Sequence, residues 1–227
     1  MLSVIIPVLN EAGQLPDTLK PLQPLRQNHL EIILVDGGSH DDGPARAASW
    51  CDTILHSPPG RARQMNQGAA RARGDTLLFL HADTRLSSPA LERLDTLHQA
   101  DWGRFDVRFR EPDWRYRLIA RLMNLRSRLT GIATGDQAIF VQRRLFETIG
   151  GFPEQPLMED IALSTRLKQH SPPLCLRETV EPSARYWQKN GIIRSIITMW
   201  GLRAAYYFGA SPSRLKQIYY RTPKNRQ

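Results

Sequence analysis

Two things are scarce in this 227-residue chain. It has only two cysteines, Cys51 and Cys175. Neither has the paired spacing of a metal knot or a disulfide framework, which suits a reducing compartment. Long apolar runs are missing too, since no window supplies the ~20 mostly apolar residues of a membrane span. The nearest, residues 192–210, carries Arg194, Arg203 and two glycines. The opening MLSVIIPVLN has no basic leader and is interrupted by Pro7, unlike a secretory signal. These absences lead us to expect a soluble, cytoplasmic protein, with peripheral contact at the inner membrane face left open. Two motifs are also absent after the first apolar run. There is no G-x-G-x-x-G, as a dinucleotide dehydrogenase would have, and no Gly-rich loop bearing Arg and Lys, as a nucleotidyltransferase would have.

What is abundant is positive charge. Lys and Arg number 31 against 22 Asp and Glu, a net charge of +9, and the sequence pI is near 10.1. That balance favours anionic partners such as nucleotides, nucleic acid or anionic lipid. The arginines are dispersed and no recognition module is visible, which argues against nucleic acid. The length allows one domain with a sizeable core, and no repeats or low-complexity tracts are seen.

The first hundred residues alternate short apolar runs with helical patterns, which implies parallel strands joined by helices. Strands are expected at 2–8, 31–35, 53–55 and 76–80. Helices are expected at 12–25 (broken by prolines), 41–50, 61–73 and 89–99, the last capped by Ser87 or Ser88. Beyond Ala100 the pattern changes. Residues 102–110 alternate Phe105, Val107 and Phe109 with Arg104, Asp106 and Arg108, as in a half-buried strand. Further strands are expected at 138–141 and, shorter, at 185–187. The expected organisation is a nucleotide-binding half (1–100), a mixed half (101–190) and a helical tail (191–227).

Three early strands end in polar groups. The first delivers Pro7, Asn10 and Glu11, the second Asp36 followed by Gly37, Gly38 and Ser39, and the fourth His81 and Asp83. In open parallel sheets, ligands sit outside the carboxyl ends of the strands. Asp36 can accept a hydrogen bond from a uracil imide or a ribose hydroxyl. Gly37 and Gly38 allow close backbone approach to a phosphate, although DGGS also reads as an ordinary tight turn. Asp83 alone reads more readily as a loop residue capping the next helix.

Read together, PVLNE, VDGGSHD, GRARQMNQGAARARGDTLLFLHADT and the later MED resemble family 2 glycosyltransferases, over roughly residues 3–187. A bacterial subgroup associated with arsenosugar biosynthesis is similar in LHADT and TGDQAIF. The resemblance implies an α/β GT-A fold: a Rossmann-like nucleotide-binding half with a mixed central sheet, plus the helical tail. It implies an inverting transferase that moves a sugar from a nucleotide-sugar donor, UDP-linked by expectation, to a hydroxyl on a small-molecule or lipid-linked acceptor. His81-Ala82-Asp83 falls where the family carries its DxD motif, making Asp83 the expected ligand of Mg²⁺ or Mn²⁺. His81 in place of the first Asp supplies no fixed negative charge, and imidazole suits Mn²⁺ better than Mg²⁺. Asn66 matches a nucleotide-side Asn of the family.

Arg61 and Arg63 can add charge near the diphosphate or simply form a solvated helix turn. In the family, the Asp of the later pair Glu159-Asp160 is the general base, and Glu159 would orient a neighbouring group. Asp160 also reads as an N-cap before Ile161, Leu163 and Leu167. Gly135, Asp136 and Gln137 are expected to line the acceptor pocket, with Asp136 the second candidate base. Trp187 stacks on a sugar or packs in the core. The Arg185-Tyr186-Trp187 triplet lacks the QxxRW pattern of processive relatives, which argues for single transfers.

Trp114, Leu118, Leu122, Leu125 and Leu129 form one helical stripe bordered by arginines. It suits either an anionic bilayer or a helix covering the acceptor cleft. The apolar arc of residues 192–208, with Arg203 inside it, suits domain packing or a homodimer contact. A catalytically silent scaffold or membrane-associated binding protein is the rival reading, and the joint presence of Asp36, Asp83 and Asp160 speaks against it.

Overall fold

The computed structural model describes residues 1–26 and 30–220; the end of the expected helical tail, 221–227, lies outside them. Its centre is one eight-stranded mixed sheet. In chain order the strands are β1 (Leu2–Val8), β2 (Leu30–Asp36), β3 (Thr53–His56), β4 (Thr76–Phe79), β5 (Thr84–Leu86), β6 (Trp102–Val107), β7 (Ile139–Gln142) and β8 (Leu174–Pro182), and their spatial order is β3-β2-β1-β4-β7-β6-β8-β5. β3, β2, β1 and β4 run parallel, β7 is antiparallel to β4 and β6, and β8 is parallel to β6 and antiparallel to β5.

β1, β2 and β4 are buried at every position, as expected of parallel strands covered on both faces. Their C-terminal ends therefore share one edge. The helices of this half are α1 (Leu15–Leu19), α2 (Gly43–Ala47), α3 (Arg61–Arg71) and α4 (Ser88–Arg93), with α3 against β1 and β2 and α4 against β8. α3 packs closely because Gly68 faces β1, where a Cβ would stand 2.5 Å from Ile5 Cγ2. Ser87 caps α4, its hydroxyl accepting from the Ala90 N–H. The helices expected at 12–25, 41–50 and 89–99 are each shortened into an α-turn followed by a 3₁₀ segment.

The remaining helices are α5 (Trp114–Thr130), α6 (Arg143–Thr148), α7 (Glu159–Leu167), α8 (Arg185–Asn190), α9 (Ile192–Tyr207) and α10 (Pro212–Tyr220). Three expectations are corrected here. Residues 185–187 open a helix rather than forming a strand: Pro182 ends β8, and the Ser183 hydroxyl accepts the Arg185 N–H. β6 is not half-buried. It lies inside the sheet between β7 and β8, so Arg104, expected to face water, is fully buried and pairs with Asp106. The leucine stripe of α5 does not cover the cleft either, because the helix buries Tyr116, Ile119 and Ala120 and leaves Trp114, Leu122 and Leu129 exposed. Among the described residues no helix is long and apolar enough to cross a membrane.

Candidate active site

The polar strand ends meet in a cleft formed by two adjoining cavities. One, of about 410 Å³, is lined by Pro7, Val8, Glu11, Arg61, His81 and Asp83, among others. The second, of about 310 Å³, is again lined by Glu11, Arg61, His81 and Asp83, and adds Gly135, Asp136, Glu159, Asp160, Trp187 and Arg203. The four shared residues join the parallel half of the sheet to the mixed half.

On the parallel side the turn after β1 locks onto the turn after β2. Asn10 takes a left-handed φ of 56°. Its N–H donates to Ser39 Oγ at 2.9 Å, and its Oδ1 accepts the His40 N–H at 2.8 Å. Asp36 does not line either cavity. It is buried beneath this turn, with Oδ1 accepting the Ser39 N–H at 3.0 Å and Oδ2 standing 3.4 Å from His56 Nδ1. Burial pushes its carboxyl up, but hydrogen bonds from Ser39, His56 and Gly38 outweigh that and hold it below its ordinary value. Gln64, which the sequence did not single out, staples the two turns. Its buried amide donates to Val8 O at 2.9 Å and Val35 O at 2.8 Å, each bond contributing about 0.5–1.5 kcal/mol net. Gly37 packs tightly on this staple: a Cβ there would stand 3.0 Å from the Gln64 amide, which would have to shift by a few tenths of an ångström.

Asn66 is engaged elsewhere. Its Nδ2 donates to Phe152 O at 2.8 Å and its Oδ1 accepts the Phe152 N–H at 2.9 Å. It therefore fixes the loop before α7 and lines neither cavity.

At the end of β4, His81 Nδ1 lies 3.4 Å from Asp136 Oδ1. Asp83 and Glu11 share the guanidinium of Arg185, whose Nη2 is 2.5 Å from Glu11 Oε2 and 3.6 Å from Asp83 Oδ2. Among the described residues no three His, Cys, Asp or Glu side chains converge to hold a metal unaided. Asp83, with Glu11 beside it, fits an ion held jointly with substrate phosphates, as Mg²⁺ commonly is.

The acceptor side is built around Gly135-Asp136-Gln137, a 3₁₀ turn with a capping box between Thr134 and Gln137. Gln137 is fully buried beneath it. Asp160 is not the N-cap expected from its sequence position. Met158 occupies that place with a φ of 66°, and Asp160 is the second residue of α7. Its Oδ2 accepts the Gly135 N–H at 2.9 Å and its Oδ1 the Ile161 N–H at 2.8 Å. Ala138, at φ 47°, follows the turn; with Asn10 and Met158 it completes the left-handed non-glycine residues among those described, all in or beside the cleft. Such strained positions concentrate at functional sites.

Charge in the cleft is tightly coupled. Burial and then the neighbouring Asp160 push the Glu159 carboxyl up, against the pull of Arg61. For Asp136 burial acts in the same direction, but His81, Arg61 and Arg203 prevail and hold it low. Desolvation opposes the charge on Arg61, and Glu159 and Asp136 more than offset it. Trp187 meets Phe109 edge-on at 6.2 Å and packs against the core, and it also lines the second cavity.

The family model for glycosyl transferase family 2 matches residues 3–148. The chain belongs to glycosyl transferase family 2. A family member from Mycobacterium tuberculosis (strain ATCC 25177 / H37Ra), a PGL/p-HBAD biosynthesis glycosyltransferase, is 34% identical over 67% of this chain and 63% of its own length. An undecaprenyl-phosphate 4-deoxy-4-formamido-L-arabinose transferase from Pseudomonas syringae pv. syringae (strain B728a) is 31% identical over 59% of this chain and 44% of its own. The chain thus spans less than two thirds of the one curated relative and less than half of the other. Among solved structures, a mannosyltransferase from Pyrobaculum calidifontis in complex with GDP-Man and Mn²⁺ aligns with TM-score 0.63, 18% identity, 96% of this chain and 67% of that one. Glucosyl-3-phosphoglycerate synthase from Mycobacterium tuberculosis, in complex with Mn²⁺, UDP and glucosyl-3-phosphoglycerate, aligns with TM-score 0.62, 20% identity, 87% of this chain and 77% of that one. The family 2 chain has the GT-A fold of these enzymes.

Proposed function

We propose that this family 2 glycosyltransferase moves a sugar, with inversion, from a UDP-linked donor to an acceptor hydroxyl. The observation that carries this reading is the continuous cleft in which Asp83 and Asp160 line the same cavity from opposite halves of the sheet. The nucleotide lies over the ends of β1, β2 and β4, against Pro7, the Asn10–Ser39 turn and the Gly38 backbone. Arg61 and His81 face the diphosphate. Asp83 and Glu11 would hold Mn²⁺ or Mg²⁺ together with the phosphates, and a bound ion would stabilise the leaving diphosphate.

Asp160 takes the acceptor proton. Each carboxylate oxygen has about two lone pairs, and the two backbone donors leave further acceptor capacity on both. The Gly135 bond fixes the carboxylate at the cavity wall. Direct attack by the deprotonated hydroxyl on the anomeric carbon breaks the bond to the diphosphate and inverts the centre. Asp136 suits this role less well, because a carboxyl held below its ordinary value is poorly matched to proton removal near neutral pH. Gly135, Asp136, Gln137 and Trp187 then shape the acceptor pocket.

The exposed α5 stripe, flanked by Arg117 and Arg121, supports peripheral contact with an anionic bilayer, and the exposed Ile193, Ile197 and Trp200 of α9 offer a face for a second copy. A place in arsenosugar biosynthesis rests on the LHADT and TGDQAIF motifs alone. A thermal-shift comparison of UDP-, GDP- and dTDP-sugars with and without Mn²⁺ tests the donor assignment. Stabilisation by the UDP compounds, lost in Asp83→Ala, is the expected result; equal response of that variant would reject it.

A further inference from the structure

Arg185 opens α8 and lies past the residues 3–148 that the family model matches. It stands between the two carboxylates assigned above to a divalent cation. One nitrogen, Nη2, serves both, 2.5 Å from Glu11 Oε2 and 3.6 Å from Asp83 Oδ2. The arm is aimed from behind. Ser183 Oγ accepts the Arg185 backbone N–H and its Nε–H, each at 3.2 Å. The two following residues are anchored, Tyr186 stacked on Tyr219 at 5.5 Å and Trp187 packed against the core. The Arg185 side chain itself is 49% exposed. Its guanidinium can therefore leave the carboxylates without unpacking the helix that carries it.

Among the described residues no group of three His, Cys, Asp or Glu side chains is placed to hold an ion, so a cation on Glu11 and Asp83 draws further ligands from phosphate. A guanidinium and a divalent cation on the same two carboxylates set three positive charges against two negative ones at contact distance, where like charges repel strongly. A diphosphate reverses that balance. It brings negative charge of its own, and its oxygens accept the paired N–H bonds of a guanidinium fork, which a single shared nitrogen leaves unused.

We infer that Arg185 is a placeholder on the metal site, drawn off Glu11 and Asp83 by the diphosphate of the donor, so that nucleotide and metal bind as a coupled pair. This rests on the donor and metal reading above. Arg185 lines the second cavity, as do Glu11, Asp83, Arg61 and His81. Released from the carboxylates, its guanidinium adds positive charge where negative charge builds as the sugar departs. The coupling is reciprocal: nucleotide and metal raise each other's affinity by the same factor.

The test uses the whole protein. Mn²⁺ affinity is followed by the electron paramagnetic resonance of the free ion, and UDP affinity by calorimetry with and without saturating Mn²⁺. Arg185→Gln is expected to bind Mn²⁺ alone about fivefold tighter than the parent or more, and the gain in UDP affinity that Mn²⁺ confers should shrink by about the same factor. The control Lys189→Gln, exposed on the same helix and lining neither cavity, should match the parent. Arg185→Met, which keeps the packing of the aliphatic stem, serves if the Gln variant unfolds. Mn²⁺ affinity no tighter than the parent's overturns the inference and, with UDP still bound more tightly in Mn²⁺, leaves the transferase reading standing. A parent protein whose UDP affinity Mn²⁺ does not raise overturns the metal reading, and the inference with it.

Discussion

His81 and Asp136 face each other across the cleft, with 3.4 Å between Nδ1 and Oδ1. One residue comes from the end of a parallel strand, the other from the turn that leads into β7, so this contact ties the donor side to the acceptor side. Gly135 makes it possible. A Cβ there would overlap the His81 ring at Cε1 and Nε2, while the Gly135 N–H holds Asp160. A side chain at this position would disturb the histidine and the base together.

Gly135→Ala is therefore expected to destabilise the fold by about 1–3 kcal/mol, the usual penalty for overpacking, and to lower transfer more than UDP affinity. Urea unfolding and steady-state kinetics on one preparation check both. A fully active, fully stable variant would show that His81 moves aside freely.

Asn66→Ala separates a loop clamp from a nucleotide contact. Because both amide atoms are engaged by Phe152, the variant should lose about 1–3 kcal/mol of stability through the unsatisfied Phe152 backbone. Its UDP dissociation constant should not change. A large rise in that constant with normal stability would return Asn66 to the nucleotide side.

Glu159 gives a pH signature. Its carboxyl in the folded protein sits above the unfolded value of 4.5, so the folded state favours the proton. The stabilisation this confers is complete below that unfolded value and is lost as pH rises through the folded one. Glu159→Gln imitates the protonated form. It should melt at a higher temperature than the parent at neutral pH, with the gap closing as the pH falls below 4.5. A gap of constant size across that range would remove the electrostatic explanation.

How far the sequence could be read depended on where each segment's partners lie. β1, β2 and β4 announce themselves because continuous apolar runs have few other uses, and the topology then gathers Glu11, His81 and Asp83 at one edge. The alternation in β6 misled because Arg104 finds its counter-charge in Asp106 two residues away, which lets a cation lie inside the sheet. β8 escaped notice: its LCLRETVEP becomes a strand only between β6 and β5, and its exposed Arg177 hides the pattern. The left-handed turns at Asn10 and Met158 carry no glycine to mark them. Asp160 was legible as a cleft carboxylate, but its bond to Gly135 was not, since the two meet only through the fold.

The assignment of Asp160 as the base is tested most directly by Asp160→Asn, comparing transfer to a hydroxyl acceptor that the parent glycosylates with UDP affinity in the same preparation. The account predicts a fall in turnover of about 10²–10⁴-fold with UDP binding intact. Parental turnover in the variant would contradict it.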